Sequence, residues 1–191
     1  MTTAARSLLG FSIPLVIALM GASCGGGSTV PPPTPVPGVA LSSLTVTSKS
    51  FANRSTIPVE YTCDGADKSP QLTWSAPPEG TKSLAIVVED PDMPSGAFVH
   101  WLAFNLAPET TSIAEGVDPA SLGARVGIND LKNVRYAGPC PPHHELHRFV
   151  FRVFAVDTVL DLNDGADRAA LYAAMMRHVL GEGFFVASFS R

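Results

Sequence analysis

The amino-acid sequence predicts a mainly β domain, an antiparallel β-sandwich with one α-helix near its end and a short peripheral helix. From Leu41 onward, short apolar runs recur between clusters of Asp, Gly, Pro and Ser, which favour turns. The 191 residues include 17 prolines and only 16% are charged, a composition that disfavours a helical bundle or a coiled coil. Only one stretch, late in the chain, has a convincing helical period.

The apolar runs give the strands of this sandwich in order. The run at 83–89 is apolar between its first and last residues, which is typical of a buried strand. Pro58 should keep its own run at an edge or a bulge. The predicted strands cover residues 44–47, 57–61, 72–74, 83–89, 98–106, 148–156 and 184–189.

The α-helix is predicted over residues 167–180, because Leu171, Met175 and Val179 recur every four residues. Asp167 is a suitable N-cap and Gly181 a suitable stop. A second, short helix is predicted near residues 119–123.

Residues 1–23 have the layout of a secretory signal peptide. Arg6 precedes an apolar run at residues 8–20, and small residues follow at 21–23. The run is about 13 residues long, whereas a helix needs about 20 to span a bilayer. The pattern therefore predicts an exported protein.

Cys24 follows these small residues directly, as in the lipidation motif of bacterial lipoproteins. We expect lipidation there, a Gly- and Pro-rich tether over residues 24–40, and one domain over residues 41–191. The expected location is the cell envelope, with the membrane contacted through the lipid anchor. The alternative is ordinary signal cleavage nearby, which would release a soluble protein.

The charge pattern excludes one class of partner. The formal net charge is −4, from 13 basic and 17 acidic side chains. Such a surface does not attract nucleic acid, and no nucleic-acid partner is predicted.

Two cysteines remain within the predicted domain, Cys63 and Cys140. In an oxidising compartment they most economically form a disulfide. The alternative is a pair of buried free thiols, because a sequence does not give the distance between their Cα atoms.

Two histidines lie at the ends of long predicted strands. By alternation, His100 shares a face with Leu102 and Phe104. In the same way, His147 shares a face with Phe149. Taken singly, each histidine is better explained by a structural role, and a ligand contact is the alternative.

Rigid loops carry further polar groups. Asp90 and Asp92 follow a buried strand in a turn held by prolines, and Gly138 and Pro139 begin a stiff loop that leads to His147. If these loops converge, imidazole and amide N–H groups form a small anion pocket. The carboxylates would orient the histidines or accept from an ammonium group; the alternative is that the aspartates only shape the turn.

No metal, cofactor or nucleophile motif is predicted. The segment 143–147 reads His-His-Glu-Leu-His, which lacks the His-Glu-x-x-His spacing that places two ligands on one helix face. The sequence also lacks a Gly-x-Ser-x-Gly elbow and a phosphate-binding loop.

Several ordered motifs together resemble the phosphatidylethanolamine-binding protein family, in its bacterial and archaeal branch, often labelled Raf kinase inhibitor-like. The resemblance covers about residues 44–191 and rests on the segments 61–65, 68–74, 90–95, 100–101, 138–142 and 147–149. It implies a β-sandwich with a C-terminal helix beside a pocket for phosphate-like anions or phospholipid headgroups. It places six residues around that pocket: Asp90, Asp92, His100, Gly138, Pro139 and His147.

The sequence departs from the family pattern at two positions. Phe149 stands where many members have Tyr, and Arg135 where Gly is common. A hydroxyl that could bond a ligand is thus absent. The kinase regulation linked to eukaryotic members is not expected of an exported bacterial protein.

The function predicted is non-catalytic binding of a small anion or phospholipid headgroup, of the phosphate or phosphoethanolamine type. One alternative is an extracytoplasmic interaction or inhibitor module. Another is an enzyme that uses Asp90, His100 and His147 as general acid and base, although no activated nucleophile is visible.

Overall fold

The computed structural model describes Met1 and residues 31–191, and the described chain forms two β-sheets. The strands in chain order are β1 (Ser42–Ser43), β2 (Val46–Thr47), β3 (Leu72–Trp74), β4 (Ser83–Asp90), β5 (Phe98–Leu106), β6 (Ser112–Ile113), β7 (Arg125–Val126), β8 (His147–Val156) and β9 (Val179–Phe189). The larger sheet has the order β1-β9-β8-β4-β5-β7, and the smaller β2-β3-β6.

The central strand β4 is buried on both of its faces, so the large sheet is covered on both sides. All eight of its residues are buried, and successive side chains point to opposite faces. Leu84, Ile86 and Val88 pack in one hydrophobic cluster with residues of the smaller sheet. Ala85 and Val87 pack in a second cluster with the helix α1 (Arg168–Met175).

The prediction of a mainly β domain with a late α-helix is confirmed. The description as an antiparallel sandwich is not confirmed, because β1 runs parallel to β9 and the larger sheet is therefore mixed. The predicted strand at 57–61 is wrong: Val59–Tyr61 is a 3₁₀ turn, entered from Pro58. The short helix predicted near 119–123 is a 3₁₀ helix at Pro119–Leu122, whose first turn is capped by the Asp118 carboxylate.

The helix α1 begins as predicted and ends early. The Asp167 carboxylate accepts from the backbone N–H of Ala170 at 2.8 Å, which confirms the N-cap. The helix ends at Met175, residues 176–178 form a turn, and Val179 and Leu180 already belong to β9. Gly181 therefore lies inside a strand and is not a helix stop.

Close packing explains the glycine at position 183 of this strand. A Cβ on Gly183 would lie 2.0 Å from the backbone oxygen of Leu44, so no larger residue fits without displacing the segment between β1 and β2. Val179 keeps the apolar period of the predicted helix, but it pairs with Val156 of β8. Sheet hydrogen bonds and burial outweigh intrinsic helix propensity at this position.

The first described residues contact the domain. The backbone N–H of Val36 donates to the Val179 carbonyl at 3.0 Å, and that of Arg177 donates to the Thr34 carbonyl at 3.0 Å. The predicted signal peptide 1–23 and Cys24 lie outside the described residues, as does the first part of the predicted tether. Among residues 31–191, no helix has the length and apolar character needed to cross a bilayer.

Candidate functional site

A cavity of about 250 Å³ lies where β4 and β5 meet the loops around the disulfide. It is lined by three of the predicted site residues, Asp90, His100 and Gly138. The other lining residues are Cys63, Asp67, Met93, Phe98, Leu131, Ala137 and Cys140. Asp92, Pro139 and His147, also predicted for the site, do not line it.

A second cavity, of about 310 Å³, shares Asp67 with the first. Its two cationic side chains are already paired: Lys68 with Glu60 and Glu115 at 3.2 and 2.9 Å, and Arg135 with Asp67 at 3.0 Å. None of the six predicted site residues lines it. The first cavity is therefore the candidate site.

A β-bulge directs His100 toward the candidate cavity. In the pairing of β4 with β5, Val88 faces Trp101 and Glu89 faces Val99, so His100 is an extra residue with no partner in the register. Its ring packs edge-on against Phe149 at 5.2 Å, on the side of the smaller sheet. A bulge re-aims a side chain in this way next to many binding sites.

The bulge overturns one prediction about this face. Leu102 and Phe104 pack in the cluster that contains α1, whereas the partner of His100, Phe149, belongs to the other cluster. Strict alternation along β5 therefore assigns His100 to the wrong neighbours. For β8 the alternation holds, and His147 begins the face that carries Phe149.

The tautomer of His100 is determined by its backbone partner. Its Nδ1 lies 2.9 Å from the Ala137 carbonyl oxygen, which only accepts, so Nδ1 carries the proton. Burial lowers the pKa of His100, against the opposing effects of the Ala137 and Gly138 carbonyls and the Asp90 carboxylate. The ring is therefore neutral at pH 7. Its Nε2 is an acceptor, and it has no hydrogen-bond partner among the described residues.

His147 acts on the cavity through Asp90. Its Nδ1 donates to Asp90 Oδ2 at 2.6 Å and its Nε2 donates to Glu145 Oε2 at 3.2 Å. Burial alone would lower the pKa of His147, but the bonds to these two carboxylates outweigh it and raise the pKa above the usual value. Below this raised pKa, His147 is an imidazolium that neutralises and orients the buried Asp90 carboxylate.

Asp92 stabilises the turn that follows Asp90, although it does not line the cavity. Its carboxylate accepts from the backbone N–H and from Nε of Arg148, at 2.8 and 2.9 Å. The bond to the Arg148 side chain is the main cause that lowers the pKa of Asp92 to about 2. The backbone N–H of Asp92 in turn donates to Asp90 Oδ1 at 2.8 Å, so both Asp90 oxygens have partners.

Asp67 is a cavity residue that the sequence analysis did not identify. Its Oδ1 accepts from the backbone N–H of Gly138, and its Oδ2 accepts from Arg135 at 3.0 Å. A Cβ on Gly138 would lie 2.6 Å from the Tyr61 carbonyl oxygen, so glycine is needed where the two loops meet. A signal existed, because Asp67 lies close to Cys63 and the predicted disulfide joins Cys63 to the loop of Gly138.

The predicted disulfide is present between Cys63 and Cys140, and it forms one wall of the cavity. The backbone N–H of Cys63 also donates to the Pro139 carbonyl at 3.2 Å. Pro139 therefore helps to hold the two disulfide-linked loops together. Among residues 31–191, no group of His, Cys, Asp and Glu side chains is arranged to hold a metal ion.

The cavity combines a polar end and an apolar wall. Asp67, Asp90 and His100 supply oxygen or nitrogen acceptors, whereas Met93 and Phe98 supply apolar surface, as do Leu131 and Ala137. None of its lining residues is Lys or Arg. The site therefore offers acceptors rather than permanent cations.

The fold and the cavity define a class of small, mainly β proteins with a histidine and carboxylates in a loop-bounded cavity. Residues 47–190 match the family model "Phosphatidylethanolamine-binding protein". This chain therefore belongs to the phosphatidylethanolamine-binding protein family, and the resemblance inferred from the motifs is confirmed.

Relatives of similar length support this assignment. A UPF0098 protein of Methanothermobacter thermautotrophicus is 42% identical over 151 residues, which are 78% of this chain and 99% of the relative. The "Putative lipoprotein LppC" of Mycobacterium tuberculosis is 36% identical over 186 residues, 92% of this chain and 91% of that protein. The crystal structure of the phosphatidylethanolamine-binding protein homologue CT736 from Chlamydia trachomatis superposes with a TM-score of 0.72 at 33% identity, covering 78% of this chain and 98% of CT736.

Proposed function

We propose that this chain is a non-catalytic binding protein of the cell envelope whose cavity takes a phosphate-type headgroup together with one proton. The observation that carries the proposal is the free Nε2 acceptor of His100 in a cavity lined by acceptors. The envelope location is supported by the sequence pattern of residues 1–24 and by similarity to a protein named as a lipoprotein.

The proton follows from the chemistry of the lining groups. A phosphate dianion has only acceptors, and it would face the lone pair of Nε2 and the carboxylates of Asp67 and Asp90. A monoanion carries an O–H that can donate to Nε2; equally, a protonated His100 can donate to the dianion. In both cases the complex holds one more proton than the separated neutral histidine and dianion.

A zwitterionic headgroup fits these walls better than phosphate alone. The ammonium group of phosphoethanolamine can donate to carboxylate oxygens such as those of Asp67, and its two methylene groups can lie along Met93 and Phe98. Phosphoethanolamine should therefore bind more tightly than inorganic phosphate. Equal affinities would assign the site to free phosphate.

Replacing His100 with asparagine should weaken phosphate-type binding without removing the bond to Ala137. An asparagine amide N–H can take the place of Nδ1–H, whereas the variant has no group in the place of Nε2. Calorimetry with inorganic phosphate and with phosphoethanolamine should show at least about a tenfold loss of affinity, since one good bond to a charged group contributes about 1.5–3 kcal/mol.

His178→Asn is the matched control for the binding experiment. His178 pairs with Asp157 at 2.7 Å and does not line the cavity, so this variant should bind as the wild type does. Binding retained by His100→Asn would contradict the proposal. So would turnover of phosphoesters by the wild type that is lost in Asp90→Asn, which would indicate an enzyme. A partner captured equally by wild type and His100→Asn would instead indicate an interaction module.

The affinity for phosphoethanolamine, a phosphate monoester, should fall as the pH rises. The pKa of His100 is lowered below its ordinary value, and a phosphate monoester loses its second proton at about pH 6. Above both values each unit of pH removes the required proton, so the affinity should fall about tenfold per unit between pH 7.5 and 9. Calorimetry at a series of pH values measures this slope.

Sulfate distinguishes the two positions of the proton, because it carries none in this range. It should bind far more weakly than phosphate at pH 7 if the ligand brings the proton, and comparably if His100 carries it. A flat pH profile would contradict the proton-linked mechanism.

A further inference from the structure

The disulfide between Cys63 and Cys140 lies on the surface. Both cysteines are exposed, whereas the residue that precedes each of them in the chain, Thr62 or Pro139, is buried. Structural disulfides resist exchange mainly when thiolates cannot reach them, and exposed ones are more labile. Access alone does not determine which sulfur is attacked. The charged groups beside each sulfur determine which one leaves.

The two sulfurs have different electrostatic surroundings. The Arg191 guanidinium places Nη1 3.0 Å from Cys140 Sγ and 3.7 Å from Cys63 Sγ. On the other side, a carboxylate oxygen of Asp64 lies 3.8 Å from Cys63 Sγ. A cation stabilises a thiolate and an anion destabilises it, so Cys140 is the better leaving group.

The position of the guanidinium is held by its other contacts. Arg191 Nη2 lies 3.1 Å from His143 Nε2, and its Nε lies 3.6 Å from Asp64 Oδ1. The Arg191 carbonyl accepts from the backbone N–H of His144 at 2.8 Å. The segment after β9 and the loop after Cys140 therefore present the cation to the disulfide together.

We propose that this disulfide is a directional thiol–disulfide exchange site, in which an incoming thiolate attacks Cys63 and Cys140 leaves. The attacking sulfur forms a new bond to Cys63 Sγ while the Cys63–Cys140 bond breaks. The electron pair of the broken bond goes to Cys140 Sγ, which is held as a thiolate beside Arg191. The second thiol of the reductant then attacks the reductant sulfur that is bonded to Cys63. This step releases Cys63 as a thiol and the reductant as a disulfide.

The partner is therefore a dithiol, a protein or a small molecule, that meets the exposed side of Cys63. The two loops keep other contacts when the bond is open: Tyr136 donates from its hydroxyl to the Tyr61 carbonyl at 2.9 Å, and Gly138 donates to Asp67. The released Cys140 thiolate thus stays near Cys63, which allows the reverse reaction. The proposal does not depend on what the cavity binds.

Removing the charge of Arg191 should slow reduction of the native protein. With dithiothreitol at pH 7, Arg191→Gln should be reduced about fivefold more slowly than the wild type, since a leaving thiol of higher pKa departs more slowly. Arg191→Lys keeps the cation and should retain most of the rate. The rate of the first reduction event does not depend on the stability of the reduced protein.

The site of attack is read separately by mass spectrometry. After brief reaction with glutathione and an acid quench, the mixed disulfide should be found on Cys63, with Cys140 free. In the reduced protein at pH 6.5, iodoacetamide should modify Cys140 about tenfold faster than Cys63, because only the thiolate reacts. Attack at both sulfurs equally, or a reduction rate unchanged in Arg191→Gln, would overturn the proposal.

Discussion

Replacing His147 with alanine is expected to lower the free energy of unfolding by about 3–5 kcal/mol, because it leaves the Asp90 carboxylate buried without its counter-ion. The side chains of this pair are only 4% and 2% exposed, and 2.6 Å separates Nδ1 from Oδ2. For a chain of this size, the melting temperature should fall by on the order of 10 °C. Urea unfolding at pH 6 measures the loss.

The choice of pH follows from the raised pKa of His147. A histidine whose pKa is raised on folding contributes its full stability below the unfolded value of about 6.5. The contribution is lost as the pH rises through the folded value. At pH 6 the pair therefore contributes in full.

A second histidine–aspartate pair provides the control. His178 lies 2.7 Å from Asp157, but these side chains are 45% and 33% exposed. Because solvent screens such a pair, His178→Ala should lose less than about 1 kcal/mol. In the His147→Ala background, Asp90→Asn should restore part of the stability, since the remaining buried group is then uncharged. Equal losses in His147→Ala and His178→Ala would contradict the assigned role of the buried pair.

Replacing both Cys63 and Cys140 with serine is expected to destabilise the protein by about 4 kcal/mol. The bond joins residues separated by 77 positions, so its removal restores much conformational entropy to the unfolded chain. Both cysteines are exposed, and serine hydroxyls at these positions can be hydrated. The loss should therefore reflect the missing cross-link rather than a buried polar group.

Chemical denaturation of the variants measures this contribution. Cys63→Ser and Cys140→Ser alone should each lose as much as the double variant, since either change removes the same bond. Wild type that is reduced and alkylated should agree with them. A loss below about 1 kcal/mol in the double variant would show that the native loops, held by contacts such as Tyr136 to Tyr61, do not need the cross-link.

Much of the architecture can be read from local patterns. The run at 83–89 has an almost continuous apolar composition because both faces of β4 are covered, and Asp167 caps α1 because its carboxylate satisfies a free backbone N–H. The helix end could not be predicted in this way. Val179 keeps the helical spacing, but it lies in β9 and pairs with Val156 of β8.

The same division applies to the candidate site. Asp90 and Gly138 stand in turns whose residue types are visible in the sequence, and both line the cavity. Of the six predicted residues, His147 and Asp92 contact Asp90 but do not line the cavity, and their part in ligand binding stays a prediction. Asp67 was missed because it reaches the cavity from a loop distant in sequence.

By itself, the sequence determined the mainly β class, the late helix and the family, and it favoured the pairing of Cys63 with Cys140, which the structure then decided. These depend on composition, local period and ordered motifs, which a linear pattern records. Only the tertiary structure decided where His100 points and which of its nitrogens is free. The reason is physical: one bulged residue reverses the alternation along β5, and a carbonyl from residue 137, distant in sequence, selects the tautomer.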